Sequence, residues 1–347
     1  MTQTDIDPRS SATVVITTVL QILNISMAVT GNSFVCLALY CNRRLRTIAN
    51  LYVLSLAMGD IAVTILVFIF SFVASVWRKW PFGYNFCQFN GYATYLWEGV
   101  SIYTLAVTAI KRYFCVVKPK RYPTLFTRKK VILSIVSVFV LTVFIGLVAT
   151  LALPINYRWD PHRLYCAHVD EIRSTSIRSS RLIWLTIIGF YAPLPMLVIV
   201  YFYANVFAAV RRHNNSVIPS LQGSRNSNAA ERAEEIRTSR VLFTAVVGFC
   251  ICWLPTIVNA VLAYVFKMPL PTFSITIYSI SAFTSAWINP QIYGAMSRAM
   301  RREFIKLFQC FPTRQQRTNG DRQSSSCPQF GRQEHYILII NLKKSFD

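Results

Sequence analysis

Seven stretches of the chain are predominantly apolar, most of them on every side rather than along one stripe or in strict alternation. They run over Thr13–Cys41, Leu51–Val76, Tyr92–Ile110, Val131–Leu153, Leu182–Val210, Val241–Phe266 and Met268–Met296. Each is near the length of about 20 residues that a helix needs to cross the hydrocarbon core of a bilayer. Backbone polar groups in lipid must be satisfied inside the segment, so these stretches predict helices. A transmembrane barrel would show segments of about ten residues with alternating polarity. The pattern therefore predicts an all-α membrane protein, a seven-helix bundle.

The polar positions divide the rest. Residues 1–13 form a short polar N-terminus without the basic start of a cleaved leader. Residues 14–296 hold the seven spans. Residues 297–310 include RAMRREFIKLFQC, where Phe304, Leu307 and Phe308 recur at helical spacing beside Arg301, Arg302 and Lys306. That pattern predicts an amphipathic helix lying on a membrane surface. Residues 311–347 form a polar tail whose last stretch, Tyr336–Leu342, is apolar but too short to span. The loop His213–Arg232, rich in Asn, Ser and Arg, reads as mobile.

Composition agrees with the pattern. Of 347 residues, 54% are hydrophobic and only 14% charged, against about 25% charged in ordinary soluble domains. The net charge of +22 would point to nucleic acid in a soluble protein. Here the basic residues lie between spans and in the tail, so the partner is the membrane surface and no nucleic acid is expected. The loops on one side, with the tail, carry 27 of the 36 lysines and arginines. The positive-inside rule makes that side cytoplasmic, which puts the N-terminus outside and the C-terminus inside a multi-pass cell-membrane protein.

Charged side chains inside spans mark function. Asp60, Glu98 and Arg112 are such residues. Thr94, Glu98, Ser101, Leu105, Thr108 and Arg112 draw one stripe down the third span, so that helix should be central. Glu98 lies toward the outside, about 21 Å along the axis from Arg112. Pro193, Pro255 and Pro290 interrupt the fifth, sixth and seventh spans. Of the nine cysteines, only Cys87 and Cys166 belong to the oxidising side, and they are expected to pair. Cys310 ends the amphipathic helix, where palmitoylation fits. All four histidines, His162, His168, His213 and His335, fall in loops or the tail. An acid–base or metal site within the spans is therefore not expected, and neither is an enzyme.

In this order the motifs resemble those of rhodopsin-like (class A) G-protein-coupled receptors. They are Gly31-Asn32-Ser33, Leu54-Ser55-Leu56-Ala57 with Asp60, Trp80-Pro81-Phe82-Gly83, Lys111-Arg112-Tyr113, Phe190 before Pro193 with Tyr201 after it, Phe249 with Cys252-Trp253-Leu254-Pro255, and Asn289-Pro290-Gln291-Ile292-Tyr293. The resemblance covers about residues 14–310. Several stretches look like melatonin receptors: Gly91 after Cys87-Gln88, the Ala109–Tyr113 run, Asp160-Pro161, and Ile292-Tyr293-Gly294.

The resemblance implies a receptor for an extracellular small molecule or peptide that activates a heterotrimeric G protein, with arrestin and a receptor kinase acting at the tail. It implies a ligand site in the outer cavity, with Thr94, Trp97, Glu98, Trp253, Thr256 and Ser279 as contacts. It implies no cofactor, but a sodium ion as allosteric ligand among Asn32, Asp60, Ser101, Ser285 and Asn289. Arg112, Tyr113, Tyr201, Glu235, Phe249, Pro255, Pro290 and Tyr293 would form the coupling and switch set. Glu235 would latch Arg112 in the inactive state, and Tyr201 and Tyr293 would swing inward on activation. The chain departs from the family in carrying Lys111 where an acid usually precedes the arginine, in lacking a tryptophan in the fourth span, and in having Thr94 where amine receptors carry an aspartate. Phe283 stands where opsins carry the retinal-linking lysine, and Gly189 where melatonin receptors carry a histidine. A membrane transporter is the alternative, but no internal repeat supports it.

Overall fold

A computed structural model describes residues 7–152, 156–169, 193–217, 227–262, 266 and 268–313. The first span is α1 (Ser11–Cys41). The second is α2 (Ile48–Val63), a π turn (Thr64–Phe68) and α3 (Ile69–Trp77). The third is α4 (Tyr84–Val116). A one-turn helix, α5 (Tyr122–Leu125), precedes the fourth span, α6 (Arg128–Ala152). An antiparallel hairpin follows, β1 (Asn156–Asp160) and β2 (Tyr165–Val169). The remaining spans are α7 (Pro193–Val217), α8 (Ser227–Ala260) and α9 (Thr272–Met296), and α10 (Arg298–Thr313) is the amphipathic helix.

By length and hydropathy alone, four described helices qualify to cross a membrane: Ser11–Cys41, Asn50–Trp77, Arg128–Val148 and Pro193–Arg211. In α8 the described apolar part is the shorter Phe243–Asn259. The helix α4 is central, packing on α2, α6, α7, α8 and both strands. It extends well beyond the apolar run Tyr92–Ile110. Its polar first turns lie under the hairpin, so packing rather than apolarity sustains the helix there. The loop expected to be mobile is helical at both ends, through Val217 in α7 and from Ser227 in α8.

Each proline has its own solution. In α9, Pro290 cannot donate to the carbonyl four residues back, which is that of Ala286. Asn32 supplies the missing donor, its Nδ2 lying 2.8 Å from the Ala286 oxygen and 2.9 Å from that of Ala28. Gly31 lets the proline come this close, since a Cβ there would meet Pro290 Cγ at 3.0 Å. In α8, just past the carbonyl that Pro255 cannot bond, the Cys252 oxygen accepts the Ser281 hydroxyl of α9 at 2.6 Å. A further tie joins the second and fourth spans: the buried Tyr52 hydroxyl shares a hydrogen bond with Ser134 of α6 at 2.7 Å.

Asp7 and Arg9, at the start of the described residues, are pinned rather than solvated. Asp7 and Arg9 pair at 2.8 Å with both side chains buried. Arg9 also reaches Thr17, and Arg78 bonds the Asp7 and Arg9 carbonyls. Burial alone would raise the Asp7 carboxyl, but the Arg9 hydrogen bonds and the charges of Arg9 and Arg78 hold it below the ordinary aspartate value. The clamp is therefore fully present at neutral pH and is lost as pH falls through that lowered value. At the other end, Phe304 of α10 meets the Phe34 ring at 5.9 Å, and Glu303 accepts from Asn42 at 3.2 Å.

The hairpin forms a roof over α4. Cys87 and Cys166 are disulfide-bonded, with Cα atoms 5.5 Å apart. Gln88 exchanges two hydrogen bonds with the Tyr157 backbone, at 2.7 and 3.0 Å, and Asn90 accepts from Cys166 N at 3.3 Å. Gly91 makes room for the hairpin: a Cβ there would lie 2.3 Å from the Tyr157 ring and 2.7 Å from the Cys166 carbonyl. Gly91→Ala should therefore displace the roof at a cost of about 1–3 kcal/mol, as overpacking does. The expected result is a lower melting temperature of the solubilised protein together with reduced surface expression. Wild-type values for both would show that the hairpin is not seated on α4.

Candidate functional site

Two polar regions lie along the inward face of α4. The inner one begins at Asp60, 4% exposed at the junction of α2 with the π turn. The Asn289 side chain of α9 lies beside its carboxyl. Asp60 Oδ2 and Asn289 Oδ1 are buried without a protein partner. The Thr64 hydroxyl closes the π turn on the Asp60 carbonyl at 2.6 Å. Asn32 is spent on backbone carbonyls, and half-buried Ser285 donates to Ala282 O at 2.7 Å. Ser101 is half-buried on the same side of α4 as Glu98.

Below this, Arg112 is 3% exposed, and its Nε and Nη2 have no hydrogen-bond partner. The Tyr203 and Tyr293 hydroxyls are likewise buried and unpartnered, and both rings lie within electrostatic reach of Arg112. The column from Asp60 through Asn289 and Tyr293 to Tyr203 and Arg112 joins α2, α9, α7 and α4. Tyr113 stacks edge-on against Phe202 at 5.2 Å. Lys111 is also buried, with its ammonium 5.8 Å from the Tyr122 ring centre. Glu235 lies in α8, but its side chain is outside the described residues, as is that of Cys310.

One switch residue must be corrected. Tyr201, expected to swing inward, is 60% exposed on the lipid side of α7, whereas Tyr203 is 4% exposed beside Arg112. Two residues turn a helix by about 200°, so only one of the pair can face inward. The chain offers two prolines, Pro193 and Pro195, from which to count. The buried one is Pro195, and Ile199 and Tyr203 follow it on one buried stripe. Phe190 and Gly189 lie outside the described residues.

In the outer region Glu98 stands half-buried, one turn inward of Thr94. The Thr94 hydroxyl is spent on Asn90 O at 2.8 Å. Ser279 is 1% exposed and donates to Ile275 O at 3.1 Å. Trp253 stacks on Phe249 with ring centres 5.7 Å apart, and its Nε1 and the Thr256 hydroxyl are buried without a partner. Trp97 needs the second correction. Its ring lies against Gly59 of α2 and near Phe139 of α6, at 6.0 Å, not toward α7, α8 and α9. It is one residue, about 100° of helix, away from Glu98.

The hairpin, which the sequence reading missed, closes this region from outside. Asp160 caps its turn, Oδ1 accepting from His162 N at 2.8 Å and Arg163 N at 3.2 Å. Leu164 takes a left-handed φ of 63° and is fully buried among Val67, Ala93 and Phe283. Tyr165 follows, with its hydroxyl near that of Tyr278 of α9. Tyr157 and Trp159 in β1 and the Asp160-Pro161 turn were the available signals. Among the described residues no cluster of His, Cys, Asp and Glu is arranged to hold a metal.

A bundle of spans around a central polar helix, an arginine at its inner end and a disulfide-tied roof at its outer end define a membrane receptor. Residues 31–293 match the family of 7 transmembrane receptors (rhodopsin family), and the chain belongs to it. It is a G-protein-coupled receptor, not a transporter. The histamine H2 receptor of Cavia porcellus is 28% identical over 303 residues, covering 84% of this chain and 79% of that relative. The melatonin receptor type 1A of Gallus gallus is 25% identical over 296 residues, covering 84% and 80%. The crystal structure of squid rhodopsin shares the fold with a TM-score of 0.73 at 21% identity, covering 91% of this chain and 90% of that one.

The placement of Tyr203 has a direct consequence. Tyr203→Phe should cut ligand-independent G-protein signalling severalfold at matched surface expression. Tyr201→Phe, changed on the lipid face, should leave it within about twofold. Equal effects of the two, in a reporter assay, would return the switch role to Tyr201.

Proposed function

We propose that this receptor binds a small cationic molecule in the outer region and that Glu98 is its counter-ion. The observation that carries the reading is that Glu98 has no ion pair or hydrogen bond among the described residues. A carboxylate so deep in a membrane protein demands a partner, and a charge-assisted hydrogen bond to a ligand contributes roughly 1.5–3 kcal/mol. Relatives named for histamine and melatonin support a small molecule over a peptide. Since Thr94 replaces the aspartate of amine receptors, the anchoring charge has moved one turn inward.

The ligand favours the state it binds better. Contact near Trp253 and Phe249 is passed along α8, braced at its proline by Ser281, to the Arg112 face. There a heterotrimeric G protein engages Arg112, Tyr113 and the basic loop after α4. The cytoplasmic side is the basic one, so the N-terminus is extracellular and the tail inside, available to arrestin and a receptor kinase. The four-part division at 13, 296 and 310 serves this reading.

The Asp60 pocket suits a hard monovalent cation. Two buried oxygens without protein partners, Asp60 Oδ2 and Asn289 Oδ1, supply the chemistry that such an ion takes. Sodium held there would balance the Asp60 charge, and Asn289 would tie the site to the Pro290 segment.

Glu98→Gln keeps the shape and removes the charge. Its expected effect is a loss of at least tenfold in affinity for a cationic agonist such as histamine or tryptamine. Unchanged affinity for a cationic agonist would refute the counter-ion role. For the pocket, sodium chloride in place of choline chloride should raise the melting temperature of the purified receptor, and Asp60→Asn should abolish that rise. A sodium effect that survives the substitution would move the site elsewhere.

A further inference from the structure

The roof carries a charge of its own above Glu98. Arg163 sits in the hairpin turn, with its side chain 31% exposed. Its described partner is Asp160, whose Oδ2 lies 3.3 Å from Nε without hydrogen-bond geometry. The other oxygen of Asp160 is occupied by the turn amides. Arg163 therefore ends in terminal guanidinium nitrogens that donate no hydrogen bond among the described residues.

Three phenols from three elements lie within electrostatic reach of it: Tyr95 of α4, Tyr165 of β2 and Tyr278 of α9. Glu98 acts on two of the same phenols, Tyr95 and Tyr165. An anionic group and a cationic group thus lie within electrostatic reach of the same two phenols, Tyr95 and Tyr165, and no ion pair joins them among the described residues. The hairpin cannot simply fold the arginine down onto Glu98. Leu164 is packed into the bundle, Cys166 is bonded to Cys87, and Gln88 holds Tyr157.

We propose that the space between Glu98 and Arg163 receives a zwitterion, its ammonium toward Glu98 and its carboxylate, or an equivalent acid, toward the Arg163 fork. The ligand class is then that of a small amino acid or a close derivative, rather than a simple amine. A guanidinium is suited to this task because its planar fork matches a carboxylate in two parallel hydrogen bonds. Asp160 caps the turn that carries the fork and places a carboxylate oxygen 3.3 Å from Nε. The proposal rests on the reading of Glu98 as a counter-ion and adds the second pole.

The test compares pairs that differ only in the carboxylate: L-histidine with histamine, L-tryptophan with tryptamine, and L-tyrosine with tyramine. Full-length receptor is expressed in cells with several G-protein reporters. In at least one pair the amino acid should act at a concentration at least tenfold lower than the amine. Arg163→Gln should erase that advantage while leaving the amine's potency in place. Asp160→Asn, which retains the guanidinium and can still cap the turn, should preserve the advantage. Glu98→Gln should weaken both members of the pair.

Amines that act as well as their amino acids in every pair, still in a Glu98-dependent way, would overturn the zwitterion and leave the counter-ion standing. Equal damage to both ligands by Arg163→Gln and by Asp160→Asn would show a structural tether and overturn the proposal. No response to any of the six compounds would overturn both readings of the ligand.

Discussion

A helix in lipid has no water with which to satisfy a backbone group, so every proline in a span creates a debt that another side chain must settle. The described part of this receptor is organised around one such settlement. Pro290 strands the Ala286 carbonyl, and Asn32 reaches it from α1 because Gly31 presents no Cβ to the proline ring. That contact fixes α9 against α1, and with it the side of α9 that faces α2. Asn289 is then held beside Asp60, and Tyr293, one turn further, beside Arg112. The polar column at the inner end follows from where one amide donor goes.

The roof is built on a different principle. A hairpin of ten strand residues is too small to be stable alone. Here it borrows stability from α4 through the disulfide, the two-way Gln88 bond and the Asn90 acceptor, and the absent side chain of Gly91 lets it settle. Leu164 is held in a left-handed conformation that a leucine avoids. Complete burial of its side chain offsets that strain. An ordered roof of this kind is what allows Arg163 and Tyr165 to act as parts of a site rather than as mobile loop residues.

The seven spans were legible because all-round apolarity over about twenty residues has few other meanings. The amphipathic helix was legible from its stripe, and the Cys87–Cys166 pair from compartment alone. What was hidden depended on contacts distant in sequence. The outer turns of α4 are polar and are kept helical by the hairpin above them. Asp7 and Arg9 read as a solvated tail because nothing local says that Arg78 and Thr17 will receive them. Tyr201 follows from counting on Pro193, but the chain also carries Pro195, and only the packing of Ile199 and Tyr203 shows which register faces inward. Trp97 and Glu98 are neighbours in sequence but sit on different faces of one helix. Patterns within a segment show that a helix has an inward face, while a residue at the edge of that face needs the neighbouring helix to place it.

The same argument of faces explains how the chain tolerates Lys111 beside Arg112. Two buried cations in sequence would repel strongly if they shared an environment. Adjacent positions are about 100° apart on a helix, and the structure uses that angle fully. Lys111 turns toward the loop after α4, where its ammonium lies over the Tyr122 ring, an attraction worth roughly 0.5–2 kcal/mol. Arg112 turns the other way, toward Tyr203 and Tyr293. An acid at position 111 would draw the guanidinium toward its own side of the helix. A lysine there pushes it toward the tyrosines instead, so that the inner column, rather than a neighbouring ion pair, sets the orientation of Arg112.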